Sequence, residues 1–91
     1  MIKSFADKET EMVYLGRLSR KLPGDIQDAA RRRLKTLNNA VDLLDLRNPP
    51  GNHFEALQGR TGVYSIRINI QWRVTFAWND GPENVKIEDY H

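Results

Sequence analysis

Residues 47–53 read RNPPGNH, and the hydrophobic pattern changes character on either side of them. Two prolines and a glycine cannot continue a helix, since proline lacks an N–H and its ring crowds the preceding turn. Upstream, Ile26, Ala30, Leu34, Leu37, Val41 and Leu44 recur at spacings of four and three. That stripe predicts an amphipathic helix, started by Asp25 as N-cap and stopped by the proline pair. Downstream of Gly51 the period is two. HFEAL (53–57) is a short strand candidate, followed by the turn-rich QGRTG. In VYSIRINI (63–70) Tyr64, Ile66 and Ile68 oppose Ser65 and Arg67. In QWRVTFAW (71–78) Trp72, Val74, Phe76 and Trp78 oppose Arg73 and Thr75. NDGPEN is a turn, and VKIEDY returns with Val85 and Ile87 inward.

Nearer the start, MIKSF reads as a short first strand and ADKETEMVYLGRLSRKL as a helix broken by LPG at 22–24. Asp7 suits the N-cap of that helix, and Glu9 and Glu11 suit the positive end of its dipole. The expectation is an α+β domain spanning residues 1–91 in the order β-α-α-β-β-β. Two helices pack on one face of an antiparallel sheet, leaving the other face partly open to solvent.

Composition narrows the classes. Ninety-one residues support one modest core. The absence of cysteine excludes a disulfide framework, a thiol nucleophile and thiolate zinc sites, and fits a reducing cytoplasm. No long apolar run follows Lys3, so neither a signal peptide nor a membrane span is expected. The net charge is only +2, but eleven basic residues from Arg17 to Arg73 precede the acidic end, which allows a basic face for a polyanion.

Strand alternation places Arg67 and Arg73 on the face opposite the apolar residues, and the last strand delivers Asp89, Tyr90 and His91 beside them. A guanidinium is a permanently charged fork suited to phosphate. Histidine exchanges a proton near neutrality, and carboxylates and phenols assist it. Cations beside proton-transfer groups suit a phosphodiester substrate. Other residues have plainer readings. Arg32 and Lys35 fall opposite the helical stripe, so the Arg31–Arg33 run is a solvated face. Trp72, Phe76 and Trp78 share the side of Val74 and belong to the core. His53, in a Pro/Gly loop, reads as a surface histidine. With His53 and His91 the only histidines, no metal motif forms, and no cofactor is expected.

The chain resembles the HigB toxins, a branch of the RelE/ParE superfamily of toxin–antitoxin systems. IKSF, PPGNHFEALQG, the hairpin YSIRIN with QWRVTF, and the terminal EDYH carry the likeness, in order, over the whole length. The resemblance implies two helices on an antiparallel sheet and a ribosome-dependent endoribonuclease that cuts messenger RNA in the A site of the 70S ribosome. It also implies a HigA-like helix-turn-helix antitoxin, operator DNA engaged only through that antitoxin, a cytoplasmic location and no membrane partner.

Carried over by position, Arg73 matches the family's phosphate-contacting arginine, and Asp89, Tyr90 and His91 match its acid–base and positioning residues. Gln58 stands where many relatives have lysine. It can hydrogen-bond a phosphate without neutralising it, which shifts the charge work to Arg73, Arg67 and Arg60. His91 is then assigned to proton transfer, Asp89 to base or to orienting His91, and Tyr90 to stacking or assistance. Two other functions fit the same residues: a ParE-like inhibitor that binds a topoisomerase, and a degenerate partner that only binds its antitoxin.

Overall fold

The computed structural model describes residues 1–89, so Tyr90 and His91 lie outside the described residues. Helix α1 spans Lys8–Tyr14, and Asp7 caps it by accepting from Thr10 N at 2.8 Å. The helix is much shorter than the 6–22 span expected from sequence. Gly16 sits at φ +84, with Gly16 N donating to Val13 O at 3.1 Å and Arg17 N to Met12 O at 2.9 Å. This paired closure at a left-handed glycine is a common way for a helix to stop. The chain beyond is held by one buried amide instead of helical hydrogen bonds. Gln27 Oε1 accepts from Ser19 N, and Gln27 Nε2 donates to Ser19 O and Leu22 O.

A single 3-10 turn, Gly24–Ile26, leads into helix α2, Gln27–Asn39. Ile26, Ala30, Leu34 and Leu37 are buried as their spacing requires. The stripe ends there. Val41 is 89% exposed and Leu44 54%, contrary to the sequence expectation. Ala40 is extended, and the Asp45 carboxylate accepts from Val41 N and Asp42 N at 3.1 and 3.0 Å. Side-chain acceptors thus capture backbone donors that a continuing helix would need. A separate 3-10 turn, Leu43–Arg47, follows and buries Leu46 in place of Leu44.

The RNPPGN segment is a compact turn stapled by the fully buried Asn52. Its Nδ2 donates to Leu46 O and Asn48 O, and its Oδ1 accepts from Arg33 Nη1 at 3.0 Å. Four antiparallel strands follow as a meander in sequence order: β1 Glu55–Ala56, β2 Val63–Arg67, β3 Trp72–Trp78 and β4 Pro82–Asp89. Strands β3 and β4 lose register between Thr75 and Ala77, where Asn84 adopts φ +53, a bulge that asparagine tolerates.

The expected first strand is reduced to one parallel bridge, Phe5 to Val85, flanked by Lys3 N to Pro82 O and Ala6 N to Val85 O. This segment and the Thr10 hydroxyl, which accepts from Ile87 N at 3.0 Å, cover the outer edge of β4. Gly81 permits the approach, since a Cβ there would stand 3.0 Å from Met1 O. The two helices lie on the side of the sheet carrying Ile66, Val74, Phe76, Val85 and Ile87, and together these residues form the core. The α+β architecture therefore agrees with the sequence. The opposite face, expected to be partly open, is open at Asn84 and Lys86 but closed along its centre, where Ser65, Arg73 and Thr75 are 0%, 6% and 3% exposed.

Candidate active site

That second face carries a cleft of about 560 Å³. One wall comes from β1 and the loop beyond it, with Glu55, Gln58 and Arg60. Arg73 and Thr75 of β3 form the floor, and Glu88 and Asp89 of β4 form the other wall. Pleating sets this arrangement, because Ser65 pairs with Thr75, Arg67 with Arg73, and Arg73 with Glu88.

Arg73 is a fixed cation, not the solvent-facing one that alternation implied. Its Nε donates to Ser65 Oγ at 2.8 Å, and its Nη2 donates to His53 O at 2.8 Å and meets Glu55 Oε1 at 3.1 Å. The segment entering β1 folds a carbonyl and a carboxylate onto the guanidinium, which explains its burial. Such fixing aims a permanent charge into the cleft, the condition under which electrostatic stabilisation of a developing anion is most effective.

Arg67 lies elsewhere. Although it is the cross-strand partner of Arg73, its Nε donates to Asn69 O at 3.1 Å and its Nη1 lies 3.4 Å from His53 Nε2. It does not line the cleft, so the structure does not bring these two arginines together as the sequence suggested. His53, set aside as a surface residue, is exposed as expected, yet it sits at the rim between both arginines. Only the turn geometry, with His53 at φ +46, carries it there.

Arg60 and Gln58 reach the cleft as expected. The Arg60 fork is engaged with Glu88, Nη1 and Nη2 standing 3.3 and 3.1 Å from the two carboxylate oxygens. Thr75 Oγ1 also donates to Glu88, through a short contact. Burial raises the Glu88 carboxyl, but hydrogen bonds from Arg60 and Thr75 and the positive charges of Arg60 and Lys86 outweigh it. The net effect holds Glu88 below its ordinary value, so it is ionised at neutral pH.

Sequence reading overlooked Glu88, although the signal was present. With Ile87 inward, alternation puts Glu88, not Asp89, on the Arg73 side. Asp89 pairs with Trp72, and its carboxylate accepts from Gln71 Nε2 at 3.0 Å at the end of the cleft. The expected roles of Tyr90 and His91 fall on residues outside the described part of the chain.

A small α+β fold with a charged cleft on the sheet face away from its helices defines the class. A family model described as the RelE-like toxin of the type II toxin–antitoxin system HigB matches residues 3–91. The chain is 43% identical over 83 residues to Toxin HigB-1 of Vibrio cholerae serotype O1, covering 89% of this chain and 87% of that one. It is 30% identical over 93 aligned residues to Endoribonuclease HigB of Proteus vulgaris, covering all of both chains. An uncharacterized protein of Haemophilus influenzae is 32% identical over 72 residues, covering 78% and 71%. The chain belongs to the HigB family of RelE-like toxins of type II toxin–antitoxin systems. No helix among the described residues is long and apolar enough to cross a membrane.

Proposed function

We propose that residues 1–91 act as one toxin domain, a ribosome-dependent endoribonuclease that cleaves translated messenger RNA in the A site. The observation that carries this reading is Arg73, a nearly buried guanidinium held by Ser65, the His53 carbonyl and Glu55 at the floor of an open cleft. Fixed cations with titratable groups at the edge suit phosphoryl transfer, and the Proteus vulgaris relative is itself named an endoribonuclease.

The reaction assigned is attack of the ribose 2′-OH on the adjacent phosphorus. A 2′-O–P bond forms, the bond to the 5′-oxygen breaks, one proton leaves the 2′-OH and one reaches the departing oxygen. Arg73 stabilises the added negative charge on phosphorus, helped by hydrogen bonds from Gln58, while Arg60 contributes to binding the RNA phosphates. His91 transfers a proton, Asp89 acts as base or orients it, and Tyr90 stacks or assists. Arg67, directed toward His53, acts on substrate only at the rim. Aimed cations and acid–base groups supply what this step needs, so its chemistry calls for no metal.

The same reading assigns a HigA-like helix-turn-helix antitoxin as the neutralising partner, operator DNA reached only through it, and the cytoplasm as the site of action. The ribosome contributes alignment. Presenting the message with its 2′-OH lined up lowers the barrier by several kcal/mol, which compensates for a lysine replaced by Gln58.

The test is single-turnover cleavage of a short messenger RNA, free and then bound in the A site of a programmed ribosome. Cleavage only on the ribosome, abolished by deleting His91 from a protein that still melts cooperatively, is the expected result. Comparable cleavage of free RNA would remove the ribosome from the account. Intact messages accompanied by DNA damage after induction would replace it with topoisomerase inhibition.

A further inference from the structure

The cleft does not end at Glu88. A second hollow of about 260 Å³ continues across the same sheet face, with Lys86, Asn84 and Val63 among its walls. The two hollows share three side chains: Arg60, Thr75 and Glu88. A single strand passing from one hollow to the other crosses these three residues.

What they hold is an anion. Two nitrogens of the Arg60 fork face the two oxygens of Glu88, the Thr75 hydroxyl donates to the same carboxylate, and Lys86 stands opposite Thr75 in the β3–β4 register. A guanidinium fork, a hydroxyl and an ammonium are the donors that proteins use for phosphate. We propose that Arg60, Thr75 and Lys86 form a second phosphodiester subsite, and that Glu88 is an internal anion which occupies it until the RNA strand displaces it. The inference rests on the ribonuclease reading above and extends it to the phosphate beside the scissile one.

Two features make exchange workable. Arg60 is exposed and its side chain half-accessible, so its pairing with Glu88 is the kind of surface ion pair that contributes little to stability. Glu88 is ionised and held below its ordinary value, so it makes a poor general base at neutral pH but a persistent counter-ion. While seated, it keeps the subsite neutral and weakens attraction for polyanions in general. A strand already anchored at Arg73 is the ligand placed to compete with it.

The experiment is single-turnover cleavage on programmed ribosomes at increasing toxin concentration, repeated at several salt concentrations, for wild type, Glu88→Gln and Lys86→Gln. Glu88→Gln keeps an acceptor for Thr75 but removes the charge. It is expected to lower the half-saturating concentration about 3- to 10-fold and to steepen the log–log salt dependence by about 0.7, the increment for one more phosphate neutralised on a single strand. Lys86→Gln, at an exposed position where folding is not at issue, is expected to raise half-saturation about 3-fold and flatten the salt slope by a similar increment. Unchanged half-saturation and salt slope in both variants would overturn the proposal. So would a roughly 100-fold or larger loss of maximal rate in Glu88→Gln, which would make Glu88 a proton-transfer group instead. If wild type itself fails to cut on the ribosome, the ribonuclease reading falls first and this subsite with it.

Discussion

Arg67 and Arg73 face each other directly across β2 and β3, yet their guanidinium groups part company. Arg73 turns into the cleft and bonds Ser65, the His53 carbonyl and Glu55, while Arg67 turns toward Asn69 O and the His53 ring. Two residues of one type in direct register therefore have different consequences when substituted.

Arg73→Ala is expected to abolish RNA cleavage and also to destabilise the fold by about 2–4 kcal/mol, because it leaves Ser65 Oγ and the His53 carbonyl without this donor and removes the charge opposite Glu55. This reverses the expectation from strand alternation alone, which put Arg73 on an exposed surface where substitution costs little. Arg73→Lys keeps the charge but loses the fork, so it should retain more stability than activity. Chemical denaturation alongside single-turnover rates separates the two effects. A fully stable, inactive Arg73→Ala would show that the buried bonds contribute less than assigned.

Arg67→Gln should be milder. Its contacts are exposed, and surface substitutions of this kind usually change stability by within ~0.5 kcal/mol. Cleavage is expected to fall about 10-fold or less, since a rim charge acts mainly on encounter. A loss matching that of Arg73→Ala in the same assay would place Arg67 at the reacting phosphate.

Glu88 sets a pH dependence. Its carboxyl lies below the ordinary value of 4.5 in the folded protein, so the folded state favours the ionised form. The resulting stabilisation is fully present above the unfolded value and is lost as pH falls through the folded one. Solvent screening of the exposed Arg60 keeps it small. The stability difference between wild type and Glu88→Gln should therefore be constant near neutrality and shrink below about pH 4.5, measured by urea denaturation across pH. A difference that grew on acidification would mean that Glu88 is not held as a carboxylate.

Asn52 ties the RNPPGN turn to helix α2 and to the 3-10 turn before it. Replacing it with alanine leaves the Leu46 and Asn48 carbonyls and Arg33 without their shared partner, at a cost of about 2–3 kcal/mol. Asn52→Asp should be nearly as damaging, because it keeps the acceptor for Arg33 but loses both donated bonds. Thermal melts would register either change. An unaltered melting temperature would show that water replaces the side chain.

Local signals settled much of this molecule. The Asp7 cap, the buried stripe from Ile26 to Leu37, the break at RNPPGN and the alternating strands all follow from periods and breakers spanning a few residues, which act before distant parts of the chain meet. Gly16 and the Asp42–Asp45 pair were local signals too, and they stopped two helices that apolar spacing alone would have extended. Tertiary structure decided what became of the sheet's second face. Alternation separates Arg73 from Val74, but it does not reveal that His53 and Glu55, some twenty residues earlier, would cover the guanidinium. Nor does it reveal that Arg60 would find Glu88 across the cleft, 28 residues away in the chain. Those pairings depend on the reach of the β1 segment and the register of β3 with β4. Cooperative packing of the whole sheet sets both, so no short window of sequence contains them.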